Sequence, residues 1–172
     1  MKLSRQNVFH LFVICAFPVH VWAIIGYFEQ APAWLLRMDV LELAAMAGYQ
    51  LLFALVESLI VFACVWLAAA ILVRWLGEAT VPAAALFVLL TSLASIWAQL
   101  DNGLFRSFWA IVIGIAYLAL VVGGAWFARR NQTFSRGVMS VVERLAILSM
   151  LYFVFDAIGI VLVILRQFGD AN

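Results

Sequence analysis

Three residues stand out because their chemistry conflicts with their surroundings: Glu57, Asp156 and His20, each inside a long apolar run. A carboxylate or imidazole placed within hydrocarbon is costly, so it is paired, neutral or functional. The runs containing Glu57 (Gly48–Leu76) and Asp156 (Leu145–Leu165) hold no other carboxylate, and His20 is the deep histidine, His10 lying nearer a span end. Together the three types could bind a ligand, relay a proton or, in principle, hold a metal, although their ligands would come from three separate spans without a tight motif. Helical spacing adds further groups. Gln50, Ala54, Glu57, Ser58, Val61, Cys64 and Ala68 form a polar and small stripe on one run; Ser149, Tyr152, Asp156, Gly159 and Val163 form another; Ser92, Ser95 and Gln99 share a face on a third. The candidate polar pocket is therefore Glu57, Asp156, His20, Ser95, Gln99 and Tyr152. At ~1.5 Å of rise per residue, Asp156 falls near the midplane, His20 slightly outward, and Glu57 roughly 8 Å outward. An outward-facing pocket would look like this, and so would interhelical hydrogen bonds or contact with another subunit.

The elements that must carry these residues follow from composition. The chain has 172 residues, 68% of them hydrophobic and 11% charged. Soluble domains run near ~45–50% apolar and ~25% charged. Lipid is therefore the expected solvent, and an all-α polytopic membrane protein is the expected class: a five-helix bundle in one membrane domain, residues 1–172. The net charge of +1 gives no electrostatic footprint for nucleic acid. Cys15 and Cys64 fall within apolar runs and read as small packing residues.

Five spans are expected, about 8–28, 48–76, 79–100, 104–128 and 145–165, each near or above the ~20 residues a crossing needs. The first carries Pro18. Lys2 and Arg5, the apolar run to Phe17, and Val21-Trp22-Ala23 also resemble a cleavable signal, against which the apolar run continues through Phe28. Residues 32–46 open at Pro32 and place Trp34, Leu35, Met38, Leu41 and Ala45 at helical spacing, as an interfacial helix would; a plain N-terminal extension of the second span fits equally. Ala110, Gly114, Tyr117, Val121 and Gly124 make a small-residue stripe on the fourth span, suited to close packing. Arg129–Arg144 is the most polar connection. With the N-terminus inside, Lys2, Arg5, Arg74, Arg129, Arg130, Arg136 and Arg144 lie inward against Arg37, Arg106 and Arg166 outward. That bias gives N-in, C-out in a prokaryotic inner membrane.

Asn7–Val19 (NVFHLFVICAFPV) and Phe134–Leu151 (FSRGVMSVVERLAILSML), with five spans and an outer C-terminus, resemble the N-terminal membrane module of bacterial sulfatase-type membrane enzymes. In that family the module anchors an outer catalytic domain, which has no counterpart among these residues. The resemblance implies an anchor-like module and carries over no site residue.

No HExxH, GxSxG, Walker loop or CxxC is present, and the segments between spans are too short for a soluble catalytic domain. No cofactor is expected. The leading expectation is a structural or accessory subunit that docks or anchors a partner, its surroundings being the lipid bilayer and a membrane protein partner or a second copy. A small transporter or ligand-binding protein using Glu57, Asp156 and His20 comes second, and an enzyme working within the bilayer third.

Overall fold

A computed structural model describes residues 4–100 and 109–169, and they form an all-α structure. In chain order α1 is Arg5–Leu35, α2 is Val40–Leu76, a 3-10 turn occupies Gly77–Ala79, α3 is Thr80–Leu100, α4 is Trp109–Arg130 and α5 is Gln132–Gly169. Four helical segments are long and apolar enough to cross a membrane: Arg5–Leu35, Val40–Ile96, Ile111–Arg130 and Gln132–Val161. The second of these contains α2, the turn and α3 as far as Ile96. Gly77 (φ 57°, ψ −124°) adopts a backbone that side chains disfavour, and there the chain turns. Leu76 then lies near Thr80 and Glu57 near Ser95 along shared clefts, so α2 and α3 run antiparallel.

The segment 32–46 is not one interfacial helix. α1 continues through Pro32 to Leu35, the amides of Arg37 and Met38 donate to the Trp34 carbonyl, and the chain turns before Asp39. Asp39 is extended (φ −74°, ψ 161°) and caps α2: its carboxylate accepts from the Val40 amide while Glu42 accepts from the Asp39 amide at 3.2 Å. This capping box fixes the start of α2 at Val40. Val40–Ala47 is thus the N-terminal extension of α2, the other arrangement open to the sequence.

The polar stretch Arg129–Arg144 is likewise helical rather than a loop. Only Asn131 interrupts it. Its side-chain oxygen accepts from the amides of Thr133 (3.0 Å) and Phe134 (3.2 Å), satisfying two of the orphan donors at the start of α5. Across this joint Phe127 and Phe134 meet edge to face at 5.0 Å, and the Arg130 guanidinium lies 4.3 Å above the Trp126 ring. α5 therefore begins well before residue 145, the expected start of its apolar span. The turn Asp101-Asn102-Gly103 and the first residues expected for the fourth span lie outside the described residues.

α1 is the central helix. It packs against α2, α3 and α5, while α4 lies to the side against α3 and α5. Leu11, Ile14 and Cys15 of α1 are wholly buried among Val65 and Ala69 of α2, Val81, Ala85 and Val88 of α3, and Val142 of α5. Away from that core the helices present large apolar side chains outward, among them Phe53 (69% exposed), Ile71 (70%) and Ile147 (73%). Large apolar side chains exposed in this number fit helices that are long and apolar enough to cross a membrane.

Candidate functional site: a buried polar pair and an open lateral cleft

Residues from distant parts of the chain meet where α1, α2 and α5 pack together. His20 (0% exposed) lies on α1 two residues after Pro18. Proline cannot donate to the Ile14 carbonyl, yet the His20 ring does not fill that gap. Its Nδ1 instead donates to the Ala16 carbonyl at 2.8 Å, one helical turn back. A carbonyl only accepts, so Nδ1 carries a proton. Nε2 stands 3.1 Å from Asp156 Oδ2 on α5. One proton is shared across that contact, as imidazolium with carboxylate or imidazole with carboxylic acid. Both arrangements have zero net charge, which suits a pair excluded from water better than an isolated charge.

Neighbours hold the ring in place. Tyr152, one turn before Asp156, stacks on His20 with ring centres 5.6 Å apart and planes 20° from parallel. Phe17 packs on the same tyrosine at 6.1 Å. Ser58 on α2 donates to the Ala54 carbonyl at 2.6 Å, and its Oγ lies 3.4 Å from His20 Nδ1, at the edge of bonding reach. Asp156 is 3% exposed, and its Oδ1 has no hydrogen-bond partner among the described residues; the same holds for Ser149 Oγ one face-repeat earlier on α5. Further out, the Gln50 amide donates to the Ala23 carbonyl at 3.1 Å and Tyr27 OH to the Leu43 carbonyl at 3.2 Å, lacing α1 to α2.

Of the six residues expected in one polar pocket, the structure brings together His20, Asp156 and Tyr152. Glu57 and Ser95 are elsewhere, and the Gln99 side chain lies outside those described. Glu57 is exposed. The reason is angular: successive helix residues are turned by about 100°, so when Ser58 points into the α1–α5 junction its neighbour Glu57 points away from it. The buried residues of α2 are Gly48, Ala54, Ser58, Val65 and Ala69, fewer than the seven-residue stripe read from the sequence. Ser58 and Gln50 were in that stripe, and their burial or bonding was hidden by its width. Among the described residues no group of three metal-ligating side chains converges; Glu57 faces another way than His20 and Asp156.

Glu57 opens instead on a cleft of about 270 Å³ walled by α1, α2 and α3. Pro18 and Trp22 line one side, Val61 and Val65 the second, and Thr91, Ser92 and Ser95 the third. The hydroxyls of the third wall are partly committed. Thr91 donates to the Phe87 carbonyl (2.6 Å) and accepts from Tyr117 OH of α4 (2.6 Å), and Ser92 donates to the Val88 carbonyl (2.8 Å). Their oxygens add polarity to the wall, while Glu57 has no hydrogen-bond or ionic partner among the described residues. The chemistry is thus divided between a closed, self-paired site and an open carboxylate. Compared with known proteins, the chain matches no family model, no curated protein and no solved structure.

Proposed function

We propose that this chain is an integral membrane accessory subunit that docks a partner membrane protein. In this reading α1 to α5 each cross the bilayer of a prokaryotic inner membrane, with the N-terminus inside and the C-terminus outside. The antiparallel course of α2 and α3, and the concentration of Arg74, Arg129, Arg130 and Arg136 at one set of helix ends, support five crossings and that orientation.

The observation that carries the function is the contrast between the two carboxylates. Asp156 is buried and tied to His20, so its polarity is spent within the fold. Glu57 faces sideways into a cleft at membrane depth with no partner among the described residues. An ionisable group left facing hydrocarbon is expensive, and a second protein relieves that cost. The transporter or ligand-pocket reading requires solvent to reach His20 and Asp156, and neither lines the clefts between α2 and α3.

Photocrosslinking in native membranes tests the proposal. A photoreactive amino acid placed in turn at Ala68, Ile115 and Ile147 samples separate exposed faces. A position-specific, stoichiometric protein adduct is expected. Adducts to lipid alone from every face would remove the accessory role.

A further inference from the structure

The cleft at Glu57 is the outer part of a longer furrow. A second cavity of about 250 Å³ continues between α2, α3 and α4, and the two share Val65 and Phe87 as lining residues. Along α2 the furrow extends from Glu57 to Leu76, a rise of roughly 28 Å at 1.5 Å per residue. That nearly equals the ~30 Å thickness of a hydrocarbon core. Half of the lining of this second cavity is small, Cys64, Ala68, Ala69, Ala83, Ala84 and Ala125, set beside Leu72, Leu76, Phe87 and Val121. Small residues let a second helix backbone approach closely, the usual basis of helix association in lipid.

We infer that this furrow seats one transmembrane helix of a partner protein, and that this helix carries a lysine or arginine level with Glu57, in the outer half of the membrane. The inference rests on the accessory reading and specifies its partner. Length and small-residue lining fit a helix. The carboxylate fixes the partner's charge, because a cation opposite Glu57 makes a charge-assisted hydrogen bond and neutralises both groups in lipid. The cation does not come from a second copy packed through its spans. Within the expected spans the basic residues are Arg74, at the inner end of 48–76, and Arg106, at the outer end of 104–128 and about 15 Å from that span's centre by helical rise, against about 8 Å for Glu57. A symmetric pair formed through this face would bring Glu57 against its own copy.

The test uses the full chain in phosphatidylcholine vesicles with synthetic 21-residue leucine-alanine helices. One bears a single lysine about 8 Å outward of its centre, the depth of Glu57 by helical rise; the control bears leucine there. Binding is read by energy transfer between labelled chain and labelled helix. The lysine helix is expected to bind about tenfold more tightly than the control, in keeping with a charge-assisted bond shielded from water. Glu57→Gln is expected to erase that preference, and Ala68→Leu to weaken both helices by narrowing the furrow. Glu57 is exposed and makes no bond among the described residues, so Glu57→Gln is expected to leave folding intact, which thermal unfolding checks. Equal binding of both helices, a lysine preference that survives Glu57→Gln, absence of binding, or self-association of the chain in place of helix binding each overturns the inference. The accessory reading fails separately: it falls if no face crosslinks to protein in native membranes, whereas a partner captured only from Ile115 or Ile147 sinks the furrow assignment and leaves that reading standing.

Discussion

Gly48 of α2 and Gly159 of α5 meet backbone to backbone. A Cβ added to Gly48 would lie 3.2 Å from the Gly159 Cα, and one added to Gly159 would lie 3.1 Å from both the Cα and the carbonyl oxygen of Gly48. The neighbouring atoms are main chain and cannot swing aside, so any larger residue must push the helices apart. This crossing and the His20–Asp156 contact one helical turn away on α5 together set how closely α5 approaches the rest of the bundle.

Gly159→Ala and Gly48→Ala are each expected to destabilise the fold by about 1–3 kcal/mol, the usual cost of overpacking a tight contact. Gly114→Ala and Gly123→Ala serve as controls, because a Cβ at either position meets nothing within 4 Å. Thermal unfolding in a mild detergent should separate the two classes. Equal melting temperatures for all four would show that α2 and α5 do not approach this closely.

The polar pair makes a different prediction. Asp156→Ala leaves His20 Nε2 without a partner in a buried position, at an expected cost of about 1–3 kcal/mol. Asp156→Asn is milder, because an amide N–H can donate to Nε2 while Nδ1 still donates to Ala16. Pairing His20→Leu with Asp156→Leu should recover much of the loss, since replacing both members of a buried pair removes the desolvation cost that a single deletion leaves behind. A double-mutant cycle measured by reversible unfolding gives the coupling. Additive effects would mean that the 3.1 Å contact contributes nothing.

Topology can be read without a structure. Alkaline phosphatase fused after Gly169 should be active, and the same enzyme fused at Asn131, where α4 passes to α5, should be silent. Activity at neither site would place both ends of α5 on one side and remove one crossing from the proposed five.

The helical, membrane-type character of this fold was legible because hydrophobic content alone excludes a soluble core. Element ends were harder. Asp39 and Glu42 form a capping box whose D-x-x-E spacing stands in the sequence, but the apolar rhythm running from Trp34 to Ala45 masked it. Asn131 was hidden among arginines for a similar reason: a polar stretch at a span end reads as a loop, whether or not its backbone is helical. Site prediction failed at the scale of one residue. Depth along each helix brought His20 near Asp156, and their contact agrees with that estimate. Rotation about each helix was beyond reach, because lipid is as apolar as a packed interior and side-chain type does not say which face turns inward. Hence Glu57 and Ser58 were assigned to one surface although they occupy two.

The pairing of His20 with Asp156 also has a history in time. The two residues are 136 positions apart, so at translation rates of ~5–20 residues per second His20 is made roughly 7–27 seconds before its partner. During that interval α1 carries an imidazole with no carboxylate to answer it. Asp156, when it arrives, enters on a helix whose insertion it disfavours by about 2.5–3.5 kcal/mol if unmatched. Each residue thus adds a polar cost to a helix that is otherwise apolar enough to cross a membrane, and the contact between them offsets it. A chain halted before α5 would lack the carboxylate that His20 meets in the finished fold.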